Sequence, residues 1–348
     1  MPFFLFVMAK EEFQEIQQIG FPSLVEKFKE FTGKKRQEII KGIGDDASVS
    51  VDKNGNCTCV SSEIFIEGVH FDLTYTPFHH LGYKLTTAAV SDIYAMNAKP
   101  SQLLVSIAVP NRCSVQMMEQ LYRGFDAACK DYEVQLTGGD TTASHQVLAV
   151  SVTAVGMAME EDLIYRNGAK KDDIICVTGD LGAALAGLRI LLREKKEWQE
   201  NPENHFQPDL EEYQYVVQRQ LVPEAKKDFI RAIKKSGVKP GSLIDLTQGL
   251  VSDLRAVAGL SGVGAEIYSP AIPIALETRR VADEMKEDAD KYAFYGGEDF
   301  EMLFTLKEHE VEKFKTELED FVVIGKITGK EKEITINTGE EETIRIDI

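Results

Sequence analysis

A chain of 348 residues is longer than one hydrophobic core usually grows, so two domains are expected. With 43% apolar and 28% charged residues the composition is that of a globular protein and argues against extensive disorder. The net charge of −18 is spread along the chain, which argues against a nucleic-acid surface and means that an anionic substrate would need bound cations.

The opening Met1–Met8 is apolar but short, has no basic lead or small-residue cleavage site, and runs into Lys10-Glu11-Glu12. It reads as a start placed early, with Met8 the initiator, rather than as a signal peptide. No stretch approaches the ~20 apolar residues that span a bilayer. Asp46 to Val51 and Cys57 to Glu63 alternate apolar and polar residues across Asn54-Gly55, which predicts a β-hairpin. Cys57 and Cys59 then face one way on a strand, as small buried hydrophobes. The other cysteines, Cys113, Cys129 and Cys176, are too scattered for a disulfide framework, so a reducing cytoplasm is expected.

A helix is predicted from His80 to Asn97, ended by Lys99-Pro100, then a strand from Leu103 to Val109. A second helix, Ser114 to Asp131, leads to a short strand at Val134, the turn Thr137-Gly-Gly-Asp140 and a strand from Val147 to Met157. Leu163 to Gly168 reads as a crossing segment. The pattern then predicts a strand at Ile174–Thr178 and a helix at Gly182–Arg193, while the polar stretch 194–212 reads as a solvated loop. Strand Leu243–Leu246, helix Gly249–Leu260, strand Ala265–Ile267, a helix near 277–287 and strand Met302–Leu306 alternate, and Ile334–Ile348 reads as a hairpin through Thr338-Gly339. Such alternation predicts a mixed α/β fold in two domains, residues 1–155 and 156–348.

Glycine beside carboxylate, or a carboxylate alone, recurs where elements end: Gly42-Ile-Gly44-Asp45-Asp46, Ser91-Asp92, Gly138-Gly139-Asp140, Ile244-Asp245 and Gly296-Gly297-Glu298-Asp299. Glycine lets backbone approach a ligand, and carboxylates are the hard oxygen donors that Mg²⁺ requires. One such turn is ordinary turn chemistry; the series suits a metal-bridged phosphate site. A P-loop and the protein-kinase signature pieces are both absent.

In order, Gly-Ile-Gly-Asp-Asp (42–46), Glu-Gly-Val-His-Phe (67–71), Leu-Gly-Tyr-Lys (81–84), Ser-Asp-Ile-Tyr-Ala-Met-Asn-Ala-Lys-Pro (91–100), Gly-Gly-Asp-Thr-Thr (138–142), Arg-Asn-Gly-Ala-Lys (166–170), Val-Thr-Gly (177–179) and Gly-Gly-Glu-Asp-Phe-Glu (296–301) span nearly the whole chain. The series resembles the thiamine-monophosphate kinases, within the ATP-binding group related to aminoimidazole ribonucleotide synthetase. Glu-Gly-Val-His-Phe is the segment that separates this family from its relatives. The resemblance implies an aminoimidazole ribonucleotide synthetase-like fold: an N-terminal sheet domain that binds ATP and Mg²⁺ and forms a cytoplasmic homodimer, and a C-terminal α/β domain. Membrane and nucleic-acid partners are not expected.

The same resemblance implies a magnesium cluster at Asp46, Ser61, Ser62, Glu63, Asp92, Asp140 and Asp245. ATP phosphates would border Gly139, Asp140, Arg166 and Thr247, with Tyr122 near the nucleotide, and His70 and Glu298 would contact thiamine monophosphate. A cationic ring would welcome Glu298. Asp92, Asp140 and Arg166 would carry catalysis of a direct in-line transfer from ATP, in which positioning and neutralised charge replace a protein nucleophile.

Four features depart from the family pattern: Glu63 for Asp, Gln248 for Asp in Thr247-Gln248-Gly249, Pro223-Glu-Ala-Lys226 for Pro-x-Pro-Arg, and an end at Ile348 without the usual aromatic tail. Gln248 is a weaker Mg²⁺ donor than carboxylate, which keeps a non-catalytic nucleotide- or thiamine-binding protein open beside a sister enzyme with another substrate. Asp45 is expected to orient its turn, Glu67 to face the pocket rim, and Asp299 and Glu301 to share one face of a strand in structural hydrogen bonds. Asp253 and Arg255 read as cap or surface groups. His79, His80, His145, His205 and His309 have no metal-site spacing.

Overall fold

The computed structural model describes residues 15–33, 36–201, 208–329, 333–339 and 343–347. The opening stretch to Met8 and His205 lie outside these residues. Helix α1 (Ile16–Lys29) is followed by β1 (Ile39–Lys41), β2 (Ser48–Val51), β3 (Asn56–Ile66), α2 (Phe78–Ala95), β4 (Lys99–Pro110), α3 (Val115–Asp131), β5 (Gln135–Ser144) and β6 (Ala149–Met159). These strands form one sheet in the order β1-β2-β3-β6-β4-β5, antiparallel except for the parallel β4–β5 edge.

The extended segment Leu163–Gly168 crosses to the second half, as expected. There β7 (Ile174–Thr178), α4 (Ala183–Glu200), α5 (Gln214–Leu221), α6 (Lys227–Ser236), β8 (Leu243–Asp245), α7 (Leu250–Ser261), β9 (Gly264–Tyr268), α8 (Leu276–Met285) and α9 (Ala289–Tyr295) follow in order. The chain continues through β10 (Met302–Leu306), α10 (Glu308–Lys315), β11 (Phe321–Thr328), β12 (Glu333–Asn337) and β13 (Thr343–Asp347). The second sheet runs β13-β12-β9-β11-β7-β10-β8. The fold is the expected mixed α/β arrangement, and no helix among the described residues is long and apolar enough to cross a membrane.

The hairpin forms as read, β2 pairing with β3 around Asn54-Gly55. Period-two alternation on β3 sends Cys57, Cys59, Ser61 and Phe65 into the core and Ser62 and Ile64 to the opposite face. Helix α2 lies on the inner face of this sheet and is buried on nearly every side, including its polar Lys84, Ser91 and Asp92. It also packs against β8 and so links the two sheets. In the second half Phe229, Phe304, Phe314 and Phe321 form one aromatic cluster, with Phe229 and Phe304 centroids 4.8 Å apart. Burying each phenyl ring contributes about 1.5–3 kcal/mol.

Two expectations about elements need correction. Residues 194–200 are not loop but the last turns of α4; their Glu and Lys favour helix, and no apolar stripe shows because this end is solvent-exposed. Glu211–Tyr213 adds a 3₁₀ turn before α5, and residues 202–207 lie outside the described set. The second correction concerns Thr137-Gly-Gly-Asp140, which is the interior of strand β5 rather than a turn. Gly139 is required by that pairing: its φ is 151°, and a Cβ there would sit 1.7 Å from the Val105 carbonyl oxygen.

Candidate active site

Three carboxylates from distant parts of the chain meet where the sheets join. Asp46 leaves the Gly42–Asp45 turn ahead of β2, Asp92 lies in α2, and Asp245 ends β8. Each offers an oxygen within 4.8 Å of the other two, and all three are buried. The Ser61 hydroxyl donates to Asp92 Oδ2, and the Glu63 carboxyl also reaches Asp92. The alternation of β3 puts Ser61 and Glu63 on the same face, under α2.

Among the described residues, Arg166 is the cation paired with this cluster. Arg166 Nη2 donates to Asp46 Oδ1 at 2.6 Å, while Asp46 Oδ2 and both Asp245 oxygens are buried without a hydrogen-bond partner. Burial lifts the Asp46 carboxyl to about 7 against the pull of Arg166. Burial likewise lifts Asp245 to about 6, opposed by nearby Ser91 and by Arg166. Asp92 is raised well above the carboxylate range, by burial and by Asp245, Glu63 and Asp46 around it. Burial works against the Arg166 charge, but Asp46, Asp245 and Asp45 outweigh it and hold the guanidinium protonated. Crowded buried carboxylates with orphaned oxygens are the donor set that a hard divalent cation fits.

The surrounding loops are fixed by further acids. Asp45 accepts from its neighbour's backbone and from Arg166 N, each at 3.2 Å, and pairs with Lys41 at 2.6 Å, so it orients the turn as expected. Asp253 is neither a cap nor a surface group. It is buried, and its Oδ2 accepts from Thr247 N at 3.1 Å and Gln248 N at 3.0 Å, which fixes the loop after β8. Thr247 O in turn accepts from Glu298 N at 3.1 Å. The sequence reading of Asp253 as a cap or surface group misses this role because backbone N–H partners leave no residue pattern.

Other residues expected at the site lie apart from the carboxylates. The Ser62 side chain is on the outer face of the sheet, hydrogen-bonded to Thr153 at 3.0 Å. Asp140 shares a cross-strand row with Ser106, Ser151 and Ile64, which puts its side chain on that same outer face. Tyr122 stands on the exposed side of α3, edge-on to Phe125. His70 Nδ1 accepts from Ile66 N at 3.0 Å, in the loop that continues to Tyr75; Tyr75 lies close enough to Asp72 and Glu298 for both to raise its pKa beyond the effect of burial.

Glu67 accepts from Leu148 N at 2.9 Å and pairs with Arg112. Asp299 accepts from Gly182 N and Ala184 N, and Glu301 pairs with Arg219 at 2.9 Å and Lys226 at 2.7 Å, so both are structural as expected, but they precede β10 rather than sharing the face of a strand.

Comparison with known proteins fits this geometry. The model of the AIR synthase related protein N-terminal domain matches residues 44–158, and that of the corresponding C-terminal domain matches 170–337. The thiamine-monophosphate kinase of Bacillus subtilis (strain 168) is 35% identical over 276 residues, covering 79% of this chain and 80% of that protein. This chain belongs to the thiamine-monophosphate kinase family. Its Aquifex aeolicus relative, of the same name, is 32% identical over 82% of this chain and 86% of its own. Among solved structures of the family, AaThiL complexed with AMPPCP and TMP superposes with a TM-score of 0.81 at 27% identity, covering 96% of this chain and 99% of that one.

Proposed function

We propose that this chain transfers the γ-phosphoryl group of ATP to thiamine monophosphate, giving thiamine diphosphate by direct in-line attack of the acceptor phosphate oxygen. The observation that carries this is the buried meeting of Asp46, Asp92 and Asp245 at the junction of the sheets, in a chain of this family. Asp46, Asp92 and Asp245, with Glu63 and Ser61 beside them, would hold Mg²⁺. When bound, the metal neutralises phosphoryl oxygens that would otherwise repel the attacking phosphate.

The acceptor oxygen is already ionised at neutral pH, so the protein needs no general base and its residues act by position. Arg166, held by Asp45 and Asp46, offers a preorganised donor to a phosphate. Thr247 is presented by the loop that Asp253 fixes, and Glu298 and His70 stand at the thiamine end.

In this reading residues 1–155 form the ATP- and metal-binding domain and 156–348 the second domain, and two copies pair through the outer face of the first sheet. That face carries exposed Ile64 (58% exposed), Leu104, Met157 and Met159. Pairing there would let Asp140, on that outer face, complete the site of the facing copy. The five unpaired cysteines suit a reducing cytoplasm.

The test is a coupled assay for thiamine diphosphate formation from ATP, Mg²⁺ and thiamine monophosphate, with Asp92→Asn as the control. Turnover that the control abolishes is expected. No turnover from a folded chain that still binds ATP would overturn the kinase reading, and recovery on Gln248→Asp would then assign the loss to that residue.

A further inference from the structure

Lys84 projects from α2 with a side chain only 5% exposed. Its ammonium has three hydrogens to donate, and three acceptors surround it. Glu298 Oε2 is 2.7 Å away and the Gln220 backbone carbonyl 2.9 Å. The Gln220 side-chain amide satisfies its surroundings in one orientation, with its nitrogen donating to the Ala184 carbonyl at 3.0 Å and its oxygen accepting from Lys84 at 3.1 Å. All three acceptors come from the second half of the chain, while the lysine comes from the first.

Glu298 is itself held in an unusual state. Its φ of 63° is left-handed, which a residue with a side chain adopts only when its surroundings impose it. The hydrogen bond from its N–H to Thr247 O fixes the backbone, and Lys84 fixes the carboxylate. The side chain keeps 31% of its surface exposed, so a carboxylate oxygen remains open to a ligand while the charge is already balanced by the buried ammonium. Paired in this way, Glu298 offers a cationic ring less free charge than the sequence alone suggests.

We propose that Lys84 is a positioning residue: it holds Glu298 so that the free carboxylate oxygen accepts a hydrogen bond from an N–H donor of the substrate's aminopyrimidine ring, rather than answering the ring charge. The proposal rests on the reading that Glu298 contacts thiamine monophosphate.

Steady-state kinetics of the full chain as Lys84→Met, Glu298→Gln and the double variant test it. Lys84→Met is expected to raise KM for thiamine monophosphate about tenfold, as for loss of a charge-assisted hydrogen bond, with KM for ATP within about twofold of the parent. The double variant removes both charges, so it leaves no buried ion unpaired and keeps the Gln oxygen as an acceptor. Its KM for thiamine monophosphate is expected to be no higher than that of Lys84→Met, because Lys84 acts through residue 298.

A Lys84→Met enzyme with unchanged or lower KM for thiamine monophosphate would overturn the proposal, the lower value being the mark of a freed attractive charge. Multiplied losses in the double variant would overturn it equally, as the sign of two independent structural roles. If Glu298→Gln alone leaves that KM unchanged, it is the reading of Glu298 as a substrate contact that fails.

Discussion

Arg166 and Asp46 are joined at 2.6 Å, and through them the segment that crosses between the sheets is tied to the turn that opens the carboxylate cluster. Both partners are largely withdrawn from water, so removing either leaves a buried charge without its counterpart.

Asp46→Asn should therefore act on cation binding as well as on stability. Calorimetric titration with Mn²⁺ or Mg²⁺ is expected to show affinity weakened by at least about tenfold, because one hard donor is lost and Arg166 is left unbalanced within the same shell. Equal affinity in parent and variant would remove Asp46 from the cation site.

If Asp140 acts in the facing copy, inactive Asp92→Asn and inactive Asp140→Asn chains should complement each other. Unfolding and refolding the two together forms mixed pairs in which one site is intact, and about one quarter of parental activity is expected from random pairing. A mixture as inactive as its components would put both residues in one chain's site.

Burial raises the Asp299 carboxyl to about 7 and Asp253 to about 7, far above the 3.8 of an exposed aspartate. The folded chain then binds protons that the unfolded chain has released between about pH 4 and 7, so this contribution to stability falls as pH rises through that window and is level above it. Thermal unfolding of the metal-free protein should occur at a higher temperature at pH 5.5 than at pH 7.5. In Asp299→Asn the difference between the two temperatures should shrink by about a few degrees; an unchanged difference would show that Asp299 does not titrate in this range.

Phe304 is fully buried and touches Phe229, Phe314 and Phe321. Phe304→Ala should destabilise by about 3–5 kcal/mol in urea unfolding. A loss under about 1 kcal/mol would mean that the cluster closes over the gap.

Much of this fold could be read from the chain because local pattern and final packing agree. Ile174–Thr178 and Met302–Leu306 are short apolar runs with clear ends, and they became β7 and β10 without adjustment. Helix α6 escaped notice although Phe229, Ala232 and Ile233 line one face, because Lys226 at its start supplies no side-chain cap and the preceding stretch is irregular. Asp46, Asp92 and Asp245 could be singled out by the motifs around them, but their meeting depends on α2 reaching β8. Asp140 illustrates the limit: Thr-Gly-Gly-Asp has the chemistry of a turn, and only pairing with Leu104, Val105 and Ser106 makes it strand and decides its face. Lys84 was legible as part of a motif, yet its partners lie 136 and 214 positions away.

Because Asp46 and Asp92 belong to the first sheet's half and Asp245 to the second, neither half holds the cluster alone. A gene divided between the halves would yield two polypeptides, each with a hydrophobic flank bared and a partial set of oxygen donors. Activity would return only on reassembly, so this molecule offers its own reporter for the docking of one half on the other.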